Sequence, residues 1–311
     1  MKLYAGLGRV ISVGAVLALT MLINLPAAES LKPQQQPLCA AETVTSFAAI
    51  GDYGFDSSAE LEVATLVKSW SPDFVITMGD NNYLTGAVSS IDANIGQYYH
   101  DFIFPYQGSY GAGAAGNRFF PVLGNHDWVT TNAQPYLDYF QLPGNERYYD
   151  FARGAVHFFA LDSDPSEPDG IDENSVQATW LKNGLAAAQE PWKIVYLHHA
   201  PFSSGAHGSN TTLQWPFKAW GATAVLAGHD HTYERLDEDG LLYLVNGLGG
   251  YSIYAFNTPV AGSQLRYNAN YGALRVTADA RSLYFQFINI DGVRVDGYTF
   301  ANTATVPGGC P

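Results

Sequence analysis

Five short motifs carry side chains that ligate cations: Asp52-Tyr53-Gly54, Gly79-Asp80-Asn81-Asn82-Tyr83, Gly124-Asn125-His126-Asp127, Val195-Tyr196-Leu197-His198 and Gly228-His229-Asp230-His231. Each sits where an apolar run ends. Alone, Asp52 between glycines reads as a turn residue or a helix N-cap rather than a ligand. The run Val75-Ile76-Thr77-Met78-Gly79-Asp80 repeats the same strand-then-aspartate arrangement, and two carboxylates at the ends of neighbouring strands repel each other unless a cation lies between them. Asn125 offers a neutral oxygen at a third strand end. Three of the chain's 8 histidines, His198, His229 and His231, stand at two further strand ends. Carboxylate, amide and imidazole together suit hard or borderline transition ions better than a thiolate zinc site. Two adjacent ions held this way are equipment for hydrolysing phosphate esters.

The elements that must position these residues are short runs rich in β-branched and aromatic residues: 45–50, 74–78, 119–123, 156–161, 193–197, 224–227 and 241–245. Their length and bounding turn residues are those of buried strands. Helical spacing of apolar residues over 58–70 and 174–188 lies between some of them. The alternation predicts an α/β layered domain. Toward the C-terminus, alternating runs at 272–277, 283–289 and 294–300 predict an antiparallel meander that closes a second sheet. Loops rich in Gly, Asn and Ser over 108–117 and 205–212 are of the kind that line active sites.

The chain has 311 residues, 47% of them apolar, enough for a sizeable core. Its formal net charge of −14 argues against binding a nucleic-acid backbone through a broad basic surface. An anionic substrate must then be held by local charge, which metal ions would supply. At the N-terminus, Lys2 and Arg9 precede a largely apolar stretch from Val10 to Leu25 and small residues at Ala27 and Ala28. That layout predicts a secretory signal peptide over 1–28, an extended Pro- and Gln-rich lead-in over 29–43, and one folded domain over 44–311. An uncleaved anchor is the alternative, although the stretch is short for a membrane span. The protein is therefore expected to be secreted or periplasmic, with no stable membrane insertion once the signal is removed. Cys39 and Cys310 are the only cysteines. In an exported chain they read as a disulfide joining the two ends, with two free thiols as the alternative. Asn210-Thr211-Thr212 matches an N-glycosylation acceptor.

Taken in order, the five blocks resemble the metallophosphoesterase (calcineurin-like phosphoesterase) superfamily and, within it, the compact, tartrate-resistant type of purple acid phosphatase. Most metallophosphoesterases carry Asp-x-His in the first block. Here Gly54 replaces that histidine, and Tyr83 follows Asp80 by three residues. The resemblance implies an α/β layered sandwich of two mixed β-sheets flanked by helices. It further implies that Asp52, Asp80, Tyr83 and His231 hold Fe(III), while Asp80, Asn125, His198 and His229 hold a divalent ion (Fe, Zn or Mn), with Asp80 bridging. The activity implied is acid hydrolysis of phosphate monoesters by a metal-activated hydroxide. His126 would contact the substrate or act as general acid, and His207, nine residues after His198, would be a second substrate-facing histidine.

Other residues take structural readings. Tyr83, in isolation, would be a packing residue. Asp127 either orients a histidine or caps a turn, His199 packs or hydrogen-bonds behind His198 rather than binding metal, and His100 and His157 belong to the scaffold. Two other functions stay open: a phosphodiesterase or nucleotide hydrolase on the same metals, and a non-catalytic metal-binding surface protein. Oligomeric state is not encoded in any of these patterns.

Overall fold

The computed structural model describes residues 43–302. The signal-peptide and lead-in assignments and both cysteines lie outside the described residues. Among the described residues, no helix is long and apolar enough to cross a membrane.

Two mixed sheets form the centre of the fold. In the first, β1 (Thr45–Ile50), β2 (Phe74–Thr77) and β3 (Phe119–Pro121) run parallel. All four residues of β2 are buried, which is why Phe74-Val75-Ile76 is an unbroken apolar run rather than an alternation. The second sheet comprises β4 (Tyr149–Arg153), β5 (Val156–Ala160), β6 (Trp192–Tyr196), β7 (Ala224–Ala227), β8 (Tyr233–Glu238), β9 (Leu241–Asn246) and β10 (Ser263–Tyr267), in the order β10-β8-β9-β7-β6-β5-β4. Strands β5, β6, β7 and β9 are its parallel core. The C-terminal meander of β11 (Gly272–Ala278), β12 (Ser282–Asn289) and β13 (Arg294–Ala301) is antiparallel, as its alternation predicts. It does not close a second sheet, however. β11 pairs antiparallel with β1, so the meander extends the first sheet to six strands.

The sheets face each other across an aromatic core. Phe47 of β1 and Phe74 of β2 stack at 5.2 Å, and both meet the edge of Phe158 from β5, at 5.0 and 5.4 Å. Edge-to-face pairs of this kind add to the gain from burying large apolar rings. On the far face of the second sheet, Phe159, Val195 and Val225 pack with Leu181 and Leu185 of the helix Val176–Ala187. The helix Ser58–Ser69 buries Val63, Ala64 and Val67 beside the first sheet, and its first turn is capped by Ser57, whose hydroxyl accepts from the Glu60 N–H at 3.2 Å. The result is the helix–sheet–sheet–helix layering expected from the sequence.

Candidate metal centre

The parallel strands deliver their polar C-terminal residues to one place. Asp52 lies two residues beyond β1, Asp80 three beyond β2, His198 two beyond β6 and His229 two beyond β7. The Asp52 N–H donates to the Gly79 carbonyl at 3.1 Å, and the Gly228 N–H to the His198 carbonyl at 3.0 Å, tying adjacent strand ends together. Gly79 has φ +83°, and a Cβ on it would stand 2.6 Å from the His198 ring. Asp52, Asp80 and His229 themselves adopt left-handed φ of 57°, 51° and 68°. Strain of this kind in non-glycine residues concentrates at functional sites.

All seven residues selected as ligands from the sequence converge here, in two overlapping groups. Oδ1 of Asp52 lies 3.1 Å from the Tyr83 hydroxyl and 3.2 Å from Nε2 of His231, and that same hydroxyl lies 3.1 Å from Nε2 of His231. On the other side, Nε2 of His198 lies 3.0 Å from Oδ1 of Asn125, 3.2 Å from Nδ1 of His229 and 3.4 Å from Oδ1 of Asp80. Asp52, Asp80 and His198, all buried, each place a donor atom within 4.8 Å of the others and so join the two groups.

The chemistry of this donor set fits metal ions. Nδ1 of His198 lies 2.8 Å from the Met78 carbonyl and can only donate to it, so Nε2 carries a lone pair. That lone pair faces two more oxygen acceptors and a ring nitrogen. Burial lowers His198 to about 3, and burial with the neighbouring His198 holds His229 far below the ordinary histidine range. Both are neutral imidazoles, the ligating form. Burial raises Asp80 against the pull of His126, and burial, then Asp52 and Asp80, pushes the Tyr83 phenol well up. A bound cation inverts these last two effects, because it stabilises the ionised carboxylate and phenolate.

A sequence model of the calcineurin-like phosphoesterases matches residues 45–233, which include every one of these residues. The chain belongs to the calcineurin-like phosphoesterase family. Tartrate-resistant acid phosphatase type 5 of Rattus norvegicus is 28% identical over 253 residues, covering 68% of this chain and 75% of that protein. Purple acid phosphatase 17 of Arabidopsis thaliana is 29% identical over 237 residues, covering 66% of this chain and 68% of that one. In fold, this phosphoesterase resembles a purple acid phosphatase from seeds of yellow lupin, Lupinus luteus, with a TM-score of 0.68 at 18% identity, over 89% of this chain and 58% of the lupin protein.

The remaining residues of the phosphoesterase site divide clearly. His126, partly exposed, places Nε2 3.9 Å from Oδ2 of Asp80 and Nδ1 2.6 Å from the Leu84 carbonyl. His207 is exposed and stacks on His229 at 4.1 Å. Asp127 orients no histidine; its Oδ2 accepts from the N–H groups of Gly124 and Asn81 and from the Asn81 side chain, the turn-capping alternative. Burial and then Asp80 push its carboxyl up to about 7. His157 bridges Asp150 and Glu190, and His100 meets the Gly96 carbonyl, both away from the centre. His199 packs edge-on against His198 at 5.0 Å. Its ring lies 4.4 Å from that of His229, and its Nδ1 lies 3.0 Å from the Ser163 hydroxyl.

Three residues beyond β9 were not selected from the sequence. Tyr251 stacks on Tyr83 at 3.8 Å, Tyr254 stacks on His231 at 4.0 Å, and the Ser252 hydroxyl lies 2.6 Å from Nδ1 of His231. The available signal was that 241–245 is another buried strand ending in glycines, Gly247, Gly249 and Gly250.

Proposed function

We propose that this chain is an exported acid phosphatase of the purple type, hydrolysing small phosphate monoesters at an Fe(III)–M(II) centre in which M is Fe, Zn or Mn. The observation that carries this reading is the Tyr83 hydroxyl at 3.1 Å from both Asp52 and His231. A phenol buried against a carboxylate and an imidazole supports this reading, because Asp52, Tyr83 and His231 are the residues that the resemblance to purple acid phosphatases assigns to a ferric ion. Asp52, Tyr83 and His231 would hold it, Asn125, His198 and His229 would hold the divalent ion, and Asp80 would serve both. When bound, such a pair supplies Lewis acidity for the phosphoryl oxygens and a nucleophile drawn from water at acid pH.

The chain's own residues complete the reaction. The Leu84 carbonyl, 2.6 Å from Nδ1 of His126, orients that ring and leaves Nε2 toward the centre. Nε2 is then placed to protonate the departing alkoxide. His207, exposed on its loop, contacts the substrate beside His229. The names of the relatives support the phosphatase reading, and the N-terminal sequence supports export.

The test is turnover of p-nitrophenyl phosphate and of bis(p-nitrophenyl) phosphate by the wild type and by Asp80→Ala and Asn125→Ala. The reading requires a preference for the monoester and loss of turnover in both variants. Wild-type rates in either variant would refute it, and a preference for the diester would change the substrate class.

A further inference from the structure

His207 sits on the loop Ser203-Ser204-Gly205-Ala206-His207-Gly208. A segment so rich in Gly and Ser has much conformational freedom to lose, yet it is held at nearly every residue. Asp230, fully buried between His229 and His231 in the chain, turns its carboxylate to this loop. Oδ2 accepts from the Ser203 hydroxyl at 2.5 Å and from the Gly208 N–H at 3.2 Å, and Oδ1 accepts from the N–H of His207 itself at 2.7 Å. The Gly205 N–H donates to the Ser203 hydroxyl oxygen at 2.9 Å, closing the turn around the carboxylate. A Cβ on Gly205 would lie 2.2 Å from Cγ of Asp230, so only glycine permits this approach.

Glu234, also fully buried, holds the neighbouring residue. Its oxygens accept from the Ser204 N–H at 2.7 Å and from the hydroxyls of Ser204 and Ser263, each at 2.6 Å. Asn257 donates to the Gly205 carbonyl at 2.8 Å from the other side. The outcome is the His207 ring resting on His229 at 4.1 Å, with its edge toward Tyr254 at 5.5 Å.

We infer that Asp230 is a positioning residue: by accepting from Ser203, His207 and Gly208 it fixes the loop so that the His207 ring stands beside the metal centre. The inference rests on the substrate role proposed for His207. Three donors converge on one carboxylate, and such bonds are stronger than neutral ones. An asparagine would turn an NH₂ group toward one of those donors, leaving that bond unmade.

The experiment is a double-mutant cycle on kcat/KM for p-nitrophenyl phosphate, using Asp230→Asn, Gly205→Ala and His207→Ala, with metal content measured in every variant. Asp230→Asn should lower kcat/KM about tenfold, the scale of a lost charge-assisted hydrogen bond. The loss should divide between kcat and KM as it does in His207→Ala. Gly205→Ala, which keeps the carboxylate and lies off the ligand run, should do the same. In the His207→Ala background both effects should shrink to less than about twofold, because they act through that ring. If His207→Ala lowers activity but the other losses add to it undiminished, the positioning role is overturned while the His207 reading stands. If His207→Ala leaves kcat/KM unchanged, the substrate role of His207 fails and the inference falls with it.

Discussion

The Tyr83 hydroxyl lies 3.1 Å from Oδ1 of Asp52, a residue 31 positions earlier in the chain. Asp52 also accepts from the N–H of His229 through Oδ2 at 2.9 Å. One carboxylate thereby joins the end of β1 to the Tyr83 loop and to the end of β7 in the opposite sheet. Asp52→Asn preserves the shape and removes the charge. It should reduce bound metal from two ions per chain toward one, and lower kcat at least about 100-fold, the scale of losing one charge-stabilising group. Elemental analysis and steady-state rates measure both. Two retained metals with an unchanged rate would contradict the placement of Asp52.

The general-acid role proposed for His126 differs from that of the ligands, and leaving groups separate the two. Its Nε2 is 3.9 Å from Oδ2 of Asp80, and its ring is tilted against Tyr83 at 4.5 Å. Loss of a general acid costs about 10²- to 10⁴-fold where the leaving group needs a proton. His126→Ala should therefore slow an alkyl phosphate by that order and p-nitrophenyl phosphate much less, since nitrophenolate departs without one. Equal losses on both substrates would assign His126 to binding alone.

A pH effect on stability arises at Glu60, a residue outside the ligand set. Glu60 is fully buried; Oε2 accepts from the Phe55 N–H at 3.1 Å, and Oε1 has no hydrogen-bond partner among the described residues. Burial raises its carboxyl well above the ordinary range. The folded chain thus keeps a proton that the unfolded chain releases above about pH 4.3. More protons are bound in the folded state, so stability falls as pH rises from there toward the folded pKa, by up to about 1.4 kcal/mol per pH unit. Glu60→Gln removes this slope. Relative to wild type, its thermal midpoint should rise steadily as pH is raised above about 4.3, the unfolded-state value. A difference independent of pH would show that Glu60 is ionised in the fold.

The strands that deliver Asp52, Asp80, His198 and His229 were legible because a strand buried on both faces must be an apolar run, and a glycine beside Asp52, Asp80 and His229 marks where three of them end. The helix at 58–69 was legible from its apolar spacing. Strand β8 was not, because its sequence Tyr-Glu-Arg-Leu-Asp-Glu reads as surface. Its Glu234 is nonetheless fully buried, satisfied by donors from Ser204 and Ser263 that are distant in sequence. The attachment of the meander was equally hidden, since the Thr45↔Ala278 register joins opposite ends of the domain and leaves no local pattern. Tyr251, Tyr254 and Asp230 escaped for the same reason. Their meaning lies in what the fold stacks or ties them to, not in their spacing.

Tyr83 decides whether the centre is ferric, and the visible absorption spectrum of the purified, metal-replete protein tests it. A tyrosinate bound to Fe(III) predicts a broad mid-visible band in the wild type that disappears in Tyr83→Phe while two metals remain bound. A colourless protein that is active and metal-replete, or a band that survives in Tyr83→Phe, would contradict the ferric centre.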